Sequence, residues 1–426
     1  MSADVVSAEV RRATWLRRWW AVAGLALFAA TWKLWTPQTE FPQVPLFGWA
    51  GSLPAVLDRL AFGVLLGSLA SAAWRPGSRR SWLTIVVSLS VLLVLDQHRL
   101  QPWAWQLLLM ATVWMASNQC DSQERFARLL RVVTISIYFW SAVSKLDAAF
   151  SVSHGPTLIE ALFQSVSINA VSWPASVKWW LAFSLPLGEL LVAIGLCWPH
   201  TRRAALIAAT ALHVGLILAL GPTGLGHRPG VLWWNIAFIG HDWLLFGVRA
   251  SDAVTPPSLS RWFRAFALRA TSLEPTLNVV QKPDIHRDKL GGVGCVSVIL
   301  FACVWPITER QGLCDHWLAW SVYSTRIERV SVTLTDEGVR RLPVSAHRLV
   351  VAGELWLDRW SLDALDVPIY PQLRFQLGVV EGLRQRCGEE NIVEVVVQRG
   401  VSGSERLTVE QCEERRRQFW INTRPR

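Results

Sequence analysis

Nine apolar runs of about membrane-spanning length, at roughly 19–36, 53–74, 82–97, 103–118, 126–146, 177–198, 203–221, 231–248 and 291–308, occupy most of the first three quarters of the chain. A stretch of about 20 apolar residues crosses bilayer hydrocarbon as a helix. Inside lipid every backbone polar group must find its partner within the protein, which leaves only helices or closed barrels. The runs therefore predict an all-α polytopic bundle of about nine transmembrane helices, the third and fourth short, with the lipid bilayer as its main partner. Composition agrees: 52% of the 426 residues are hydrophobic, mean hydropathy is +0.29, and 26 are Trp, a residue that gathers at membrane interfaces. No basic leader with a short apolar stretch and a small-residue cleavage site opens the chain, so the first run reads as a retained span.

Basic residues give the orientation. The N-terminus, the Arg75/Arg79/Arg80 turn, the Arg125/Arg128/Arg131 stretch, the Arg202-Arg203 turn and the segment 249–290 hold 19 Lys and Arg between them, whereas the alternate loops 37–52, 96–102, 147–176 and 222–230 hold only Arg99 and Arg228. The positive-inside rule then places the N-terminus in the cytoplasm and, after nine crossings, the C-terminus outside a cell inner membrane. Residues 309–426 carry 17 Arg against 17 Asp plus Glu, so the whole +10 excess lies in the membrane part. That excess is a topology signal, and nucleic acid is excluded as a partner because no clustered basic face is left to bind it.

The domain plan follows: spans one to eight over 1–248, a cytoplasmic linker over 249–290, a ninth helix over 291–308 and an extracytoplasmic domain over 309–426. In the linker Leu259, Trp262, Phe263 and Phe266 share one helical face, as in an interfacial amphipathic helix or one packed on the bundle ends. Beyond 309 the pattern changes to period two, in Val330–Leu334 and Ile392–Val397, around a helical stretch near 371–387, which predicts a small α+β domain. Cys314, Cys387 and Cys412 fall there, allowing one disulfide at most, and no cysteine or histidine spacing suggests a metal.

Polar residues inside apolar runs are the candidate chemistry. Lys145 ends the fifth run with a titratable amine in a chain where only five of the 42 basic residues are Lys. With Asp147 it forms either an interfacial snorkelling pair or a desolvated base and its neighbour. Glu189, His213 and Asn235 lie in the sixth, seventh and eighth runs and should face the bundle interior, either bonding helices together or lining a pocket with Tyr138. Pro186, just before Glu189, should loosen its helix and free a backbone carbonyl. Asp96, His98 and Arg99 meet between the third and fourth runs, where they either line the same pocket or cap two short helices.

The stretch Tyr138-Phe139-x-x-Ala142-x-x-Lys145-Leu146-Asp147-Ala148, followed by Gly155, resembles the vitamin K-dependent gamma-carboxylase and its bacterial relatives, the horizontally transferred transmembrane (HTTM) family. The resemblance covers about 95–250. It implies an apolar bundle with an outer C-terminal domain, and it carries over one role, that of Lys145 as the base that deprotonates a reduced quinone on the outer side. Ser144 and Phe150 stand where the animal enzyme has Lys and Trp. A second set, the Ser-Ala-x-x-Lys-Leu of span five with Pro186-Leu187-Gly188-Glu189-Leu190 and Thr201-Arg202-Arg203-Ala204-Ala205, resembles the four-span DoxX/MauE proteins linked to quinone and thiol redox chemistry. Both resemblances imply a bundle that handles a quinone or another apolar small molecule. A non-catalytic membrane scaffold whose outer domain binds a partner protein or lipid, with Lys145 paired to Asp147 for structure, is the alternative from another class. Reporter fusions should place 75–80 and 249–290 in the cytoplasm and 309–426 outside; a cytoplasmic C-terminus would contradict the nine crossings.

Overall fold

The computed structural model describes residues 3–116, 120–247, 297–400 and 403–426. The linker with Leu259, Trp262, Phe263 and Phe266 lies outside the described residues, as does the start of the expected ninth span. The described chain is mostly helical, with a small antiparallel sheet near its C-terminus. Eight long helices correspond to the first eight apolar runs: α1 (Ala3–Ala30), α2 (Val56–Trp74), α3 (Arg79–Leu95), α4 (Pro102–Ala116), α5 (Cys120–Lys145), α6 (Ala175–Cys197), α7 (Arg202–Leu220) and α8 (Pro229–Phe246).

Four stretches are long and apolar enough to cross a membrane: Val56–Trp74, Phe126–Lys145, Ala175–Cys197 and Arg202–Leu220. The others fall short for visible reasons. Helix α3 has 17 residues and α4 has 15, α1 carries four Arg along its own length, and α8 contains Asn235, His241 and Asp242. Of the ninth run, residues 297–304 are helical and lead into a tighter turn, Trp305–Gln311, that stops at Gly312 with φ 73°, a left-handed conformation that glycine adopts without steric cost.

The helices pack as sequence neighbours, α2 on α3, α3 on α4, α5 on α6 and α6 on α7, and α1 closes the bundle against α8 and α2. Outward faces remain apolar, with Leu60 and Val64 on α2, Leu187, Leu191 and Ile194 on α6, and Ile207 and Val214 on α7 all exposed. That is the arrangement expected of helices whose solvent is lipid, since lipid and side chains are equally apolar. The loop expected over 147–176 holds two short helices, Ala148–Val152 and His154–Ser165. The second lies so close to α6 that a Cβ at Gly155 would sit 2.6 Å from Ala182 Cβ. Ala182 is also four residues before Pro186, whose missing N–H leaves its carbonyl without the usual helical donor.

The C-terminal sheet has the order β2-β1-β3-β4, all antiparallel, from β1 (Glu328–Leu334), β2 (Glu354–Trp356), β3 (Ile392–Arg399) and β4 (Ser404–Leu407). Helices α9 (Leu357–Leu365) and α10 (Leu373–Cys387) pack on β1. The two expected strands are β1 and β3, and the expected helix is α10. Cys314, Cys387 and Cys412 are all buried free thiols, so the disulfide considered among them is not formed.

The domain is tied to one end of the bundle through buried polar groups. Asp58, in the first turn of α2, is fully buried and clamped by Arg99 Nη1 at 2.5 Å and Arg426 Nη1 at 2.7 Å. Gln97 accepts from Arg374 Nε at 3.0 Å and donates to Asn422 O at 2.7 Å, and Arg374 also pairs with Asp315. His98 Nε2 reaches Pro368 O at 3.0 Å, while Asp96 caps the turn after α3 by accepting from His98 N at 3.1 Å. Asp96, His98 and Arg99 thus serve as caps and inter-domain ties, and the reading of His98 as part of a pocket with Lys145 is corrected: its partners, Pro368 O and Ser361 Oγ, belong to the C-terminal domain.

Burial holds the His98 imidazole well below its usual 6.5, at about 4. The unfolded chain therefore takes up the proton first, so this contribution is complete above pH 6.5 and is lost as the pH falls toward 4, by on the order of 3 kcal/mol. Amide protection factors across 96–102 and 366–370, taken against the intrinsic exchange rate at each pH, should fall between pH 7 and 4.5. His98→Gln should remove that part of the pH dependence, and equal protection at both pH values in the native chain would contradict it.

Candidate functional site

Helix α5 carries Thr134, Tyr138, Ser141 and Lys145 at spacings of four, three and four, which puts them on one face. That face packs on α6 and α8 and reaches α7 through Tyr138, and Thr134, Tyr138 and Lys145 are buried. On α6, Glu189 is 7% exposed while its neighbours Leu187 and Leu191 are 40% and 59% exposed, so the carboxylate points inward where the apolar side chains point out. His213 on α7 and Asn235 on α8 are equally buried. The side chains named in advance as interior are interior.

Two clusters result. In the first, Lys145 Nζ donates to Glu189 Oε1 at 2.8 Å and to Ser141 Oγ at 2.8 Å. Lys145 therefore bends back along its own helix into the bundle. The expected Lys145–Asp147 pair is not formed: Asp147 Oδ1 accepts from Phe150 N at 2.6 Å, capping the helix Ala148–Val152, and Oδ2 accepts from Thr325 Oγ1 at 3.1 Å. A cap needs its carboxylate at the start of the next helix, which turns it away from Lys145. Glu189 Oε2 is buried with no hydrogen-bond partner.

In the second cluster Tyr138 Oη lies 2.7 Å from His213 Nε2 and 2.5 Å from Asp242 Oδ2. His213 Nδ1 is 2.8 Å from Asn235 Oδ1, and Asn235 Nδ2 donates to Val231 O at 2.9 Å. Tyr138, Glu189, His213, Asn235 and Lys145 are thus brought together around α5, whereas His98 and Asp147 serve elsewhere.

Sequence reasoning missed Asp242, His241, Thr134 and Trp20. Asp242 stands seven residues after Asn235, two turns along the same helical face, and that spacing was the available signal. His241 accepts from Trp20 Nε1 at 2.9 Å on Nδ1, and its Nε2 reaches Thr134 Oγ1 at 2.8 Å. Trp20, on α1, could not have been paired with it from spacing, because 221 residues separate the two.

The end of the bundle at Lys145 is covered. Ser324 Oγ donates to Ser144 O at 3.5 Å, and Tyr323 packs against a small apolar cluster of Phe150, Leu158 and Leu220. A groove of about 330 Å³ lies elsewhere, between Leu46–Gly48 and Phe419–Arg424. Among the described residues no group of three or more His, Cys, Asp or Glu could hold a metal ion.

The buried pair makes a double-substitution test decisive. Glu189→Leu leaves an uncompensated ammonium in the bundle and should cost on the order of 3–5 kcal/mol in unfolding from micelles, whereas adding Lys145→Met should recover most of that loss. A double variant no more stable than Glu189→Leu would show that the two charges do not depend on each other. Compared with known protein families, with curated protein sequences and with solved structures, the chain matches none.

Proposed function

We propose that the chain is a multi-pass protein of a bacterial inner membrane, of the HTTM/carboxylase-like type, in which Lys145 removes a proton from a quinol-like, lipid-soluble substrate. The observation that carries this reading is the Lys145–Glu189 pair, 2.8 Å apart and buried in the bundle. Water stabilises separated charges, and an apolar surrounding does not, so moving the proton from Lys145 Nζ to Glu189 Oε1 exchanges an ion pair for a neutral amine and carboxylic acid at modest cost. The neutral amine is the base. Lys can give up its proton in this way and Arg cannot.

The unpartnered Glu189 Oε2 suits the same reading, because a buried acceptor without a donor is a place for a substrate hydroxyl. Nine crossings with the N-terminus in the cytoplasm would put Lys145 and the domain over 309–426 on the outer side. The DoxX/MauE resemblance draws on α5 to α8, the helices that supply these residues, and would give the bundle a redox-associated role with the same class of substrate.

A scaffold reading also has an observation behind it. Lys145 is held by both Glu189 and Ser141, and the outer domain is locked to the bundle at Asp58, Gln97 and His98. In that case the pair holds α5 to α6, and the outer domain presents a surface to a protein partner. One conservative change separates the two. Lys145→Arg keeps the positive charge and should leave expression and folding intact, yet reduce turnover of reduced quinone in membranes by at least ~100-fold. Full function in Lys145→Arg would leave the scaffold.

A further inference from the structure

The protons along Asp242, Tyr138, His213 and Asn235 can be counted. Asn235 Nδ2 is committed to Val231 O, so the atom facing His213 Nδ1 is the amide oxygen. A carbonyl oxygen only accepts, so Nδ1 carries a proton. Tyr138 Oη has one proton and two close neighbours, His213 Nε2 and Asp242 Oδ2.

Two arrangements satisfy both contacts. In one, Tyr138 donates to an ionised Asp242, and His213 is an imidazolium whose Nε2–H donates to Tyr138 Oη. In the other, Tyr138 donates to Nε2 of a neutral His213, and Asp242 is a carboxylic acid that donates to Oη. Any arrangement with one proton fewer sets two lone pairs against each other at 2.5 or 2.7 Å. The two forms hold the same number of protons. They interconvert when the proton on Oδ2 moves to Oη while the proton on Oη moves to Nε2, with only O–H and N–H bonds exchanged and no electron transferred.

We propose that Asp242, Tyr138 and His213 form a proton relay that holds one shared proton, and that the relay exchanges it with the Lys145–Glu189 pair. Asn235 is the positioning residue, because its fixed amide keeps Nδ1 protonated and directs all proton movement to Nε2. The connection runs along α5. Lys145 reaches back to Ser141, which stands three residues from Tyr138, about 4.5 Å along the helix axis. Asp242 lies near the far end of α8, so the relay extends from the Lys145 end of the bundle toward the opposite end.

His241, next to Asp242 in the chain, provides the internal contrast. An indole N–H only donates, so Trp20 fixes His241 Nδ1 as an acceptor, and the single proton sits on Nε2 toward Thr134. His241 cannot take a second proton without losing Trp20. The relay is therefore confined to His213.

The link to Lys145 rests on the function proposed above; the shared proton does not. The test is nitrogen-15 NMR of the full chain with labelled histidines in lipid nanodiscs, with His213 among the nine assigned through His213→Gln. In the native chain His213 Nε2 should resonate at, or part-way toward, the protonated position and move with temperature. Tyr138→Phe removes the bridge, and Asp242→Asn removes the second proton, so each should shift Nε2 to the unprotonated position of a neutral imidazole while His241 stays unchanged. If either variant fails to fold, the other reports the same loss. An unprotonated Nε2 in the native chain, identical in both variants, would overturn the relay. Quinol turnover forms the second arm: Tyr138→Phe should slow it at least ~10-fold with the substrate KM unchanged. Unaltered turnover beside an NMR-visible shared proton would overturn the exchange with Lys145. A native chain that turns over no quinol yet shows the shared proton would sink the proposed substrate and leave the relay.

Discussion

A carboxylate inside an apolar bundle must acquire a cation or a proton, because the hydrocarbon around it offers no water to hold the charge. Three buried acids within the helices of the bundle answer that requirement differently. Asp58 has two guanidinium groups, Arg99 and Arg426. Glu189 has one ammonium. Asp242 meets a phenol and, beyond it, an imidazole. The three solutions also differ in what they permit. An acid held by two permanently charged arginines has no proton to give and acts as a tie, whereas an acid facing lysine, or facing histidine through tyrosine, sits in a group whose proton can move.

The Asp58 clamp ties the last residue of the chain to the bundle beside the small sheet domain. A four-stranded sheet with two covering helices buries little apolar area alone, and this domain adds a buried seam with the bundle. Arg374 bridges Asp315 and Gln97, Asn422 and Gln97 join the last segment to the turn after α3, and a Cβ at Gly378 on α10 would lie 2.9 Å from Val44 in the connection between α1 and α2. The same seam covers the Lys145 end through Ser324 and Tyr323. Excluding water there is what gives the Lys145–Glu189 attraction its strength, since Coulomb energy rises as the local dielectric falls. The domain thus contributes to the site by covering it.

The parts legible in sequence were those set by local rules. Apolar length gave eight helices in place, and period-two alternation gave β1 and β3. Burial of Glu189, His213 and Asn235 followed from the cost of exposing them to lipid. Pairing was harder, because it depends on which helices become neighbours. Lys145 was read with Asp147, two residues away, yet its partner is 44 residues away on α6. His98 was drawn toward the same outer pocket, yet its carbonyl partner is 270 residues away. The short helices α3 and α4 and the polar α8 meet the length and hydropathy expected of a spanning helix less well, yet each places a large side chain, Trp82, Trp114 and Phe238, in the common core.

His213 and His241 show how little residue type decides by itself. Both are buried, both lie between helices, and both have each ring nitrogen engaged. Their difference lies one atom further out. His213 has an amide oxygen on one side and a phenol on the other; the first demands a proton, and the second accepts or donates. His241 has an indole that only donates and so forbids a proton on that nitrogen. The second neighbours differ too: the phenol beyond His213 leads on to Asp242, whereas Thr134 beyond His241 gives its own proton to Leu130 O. Whether a buried histidine holds a helix or carries a proton is therefore written in the donor or acceptor character of the residue beyond it.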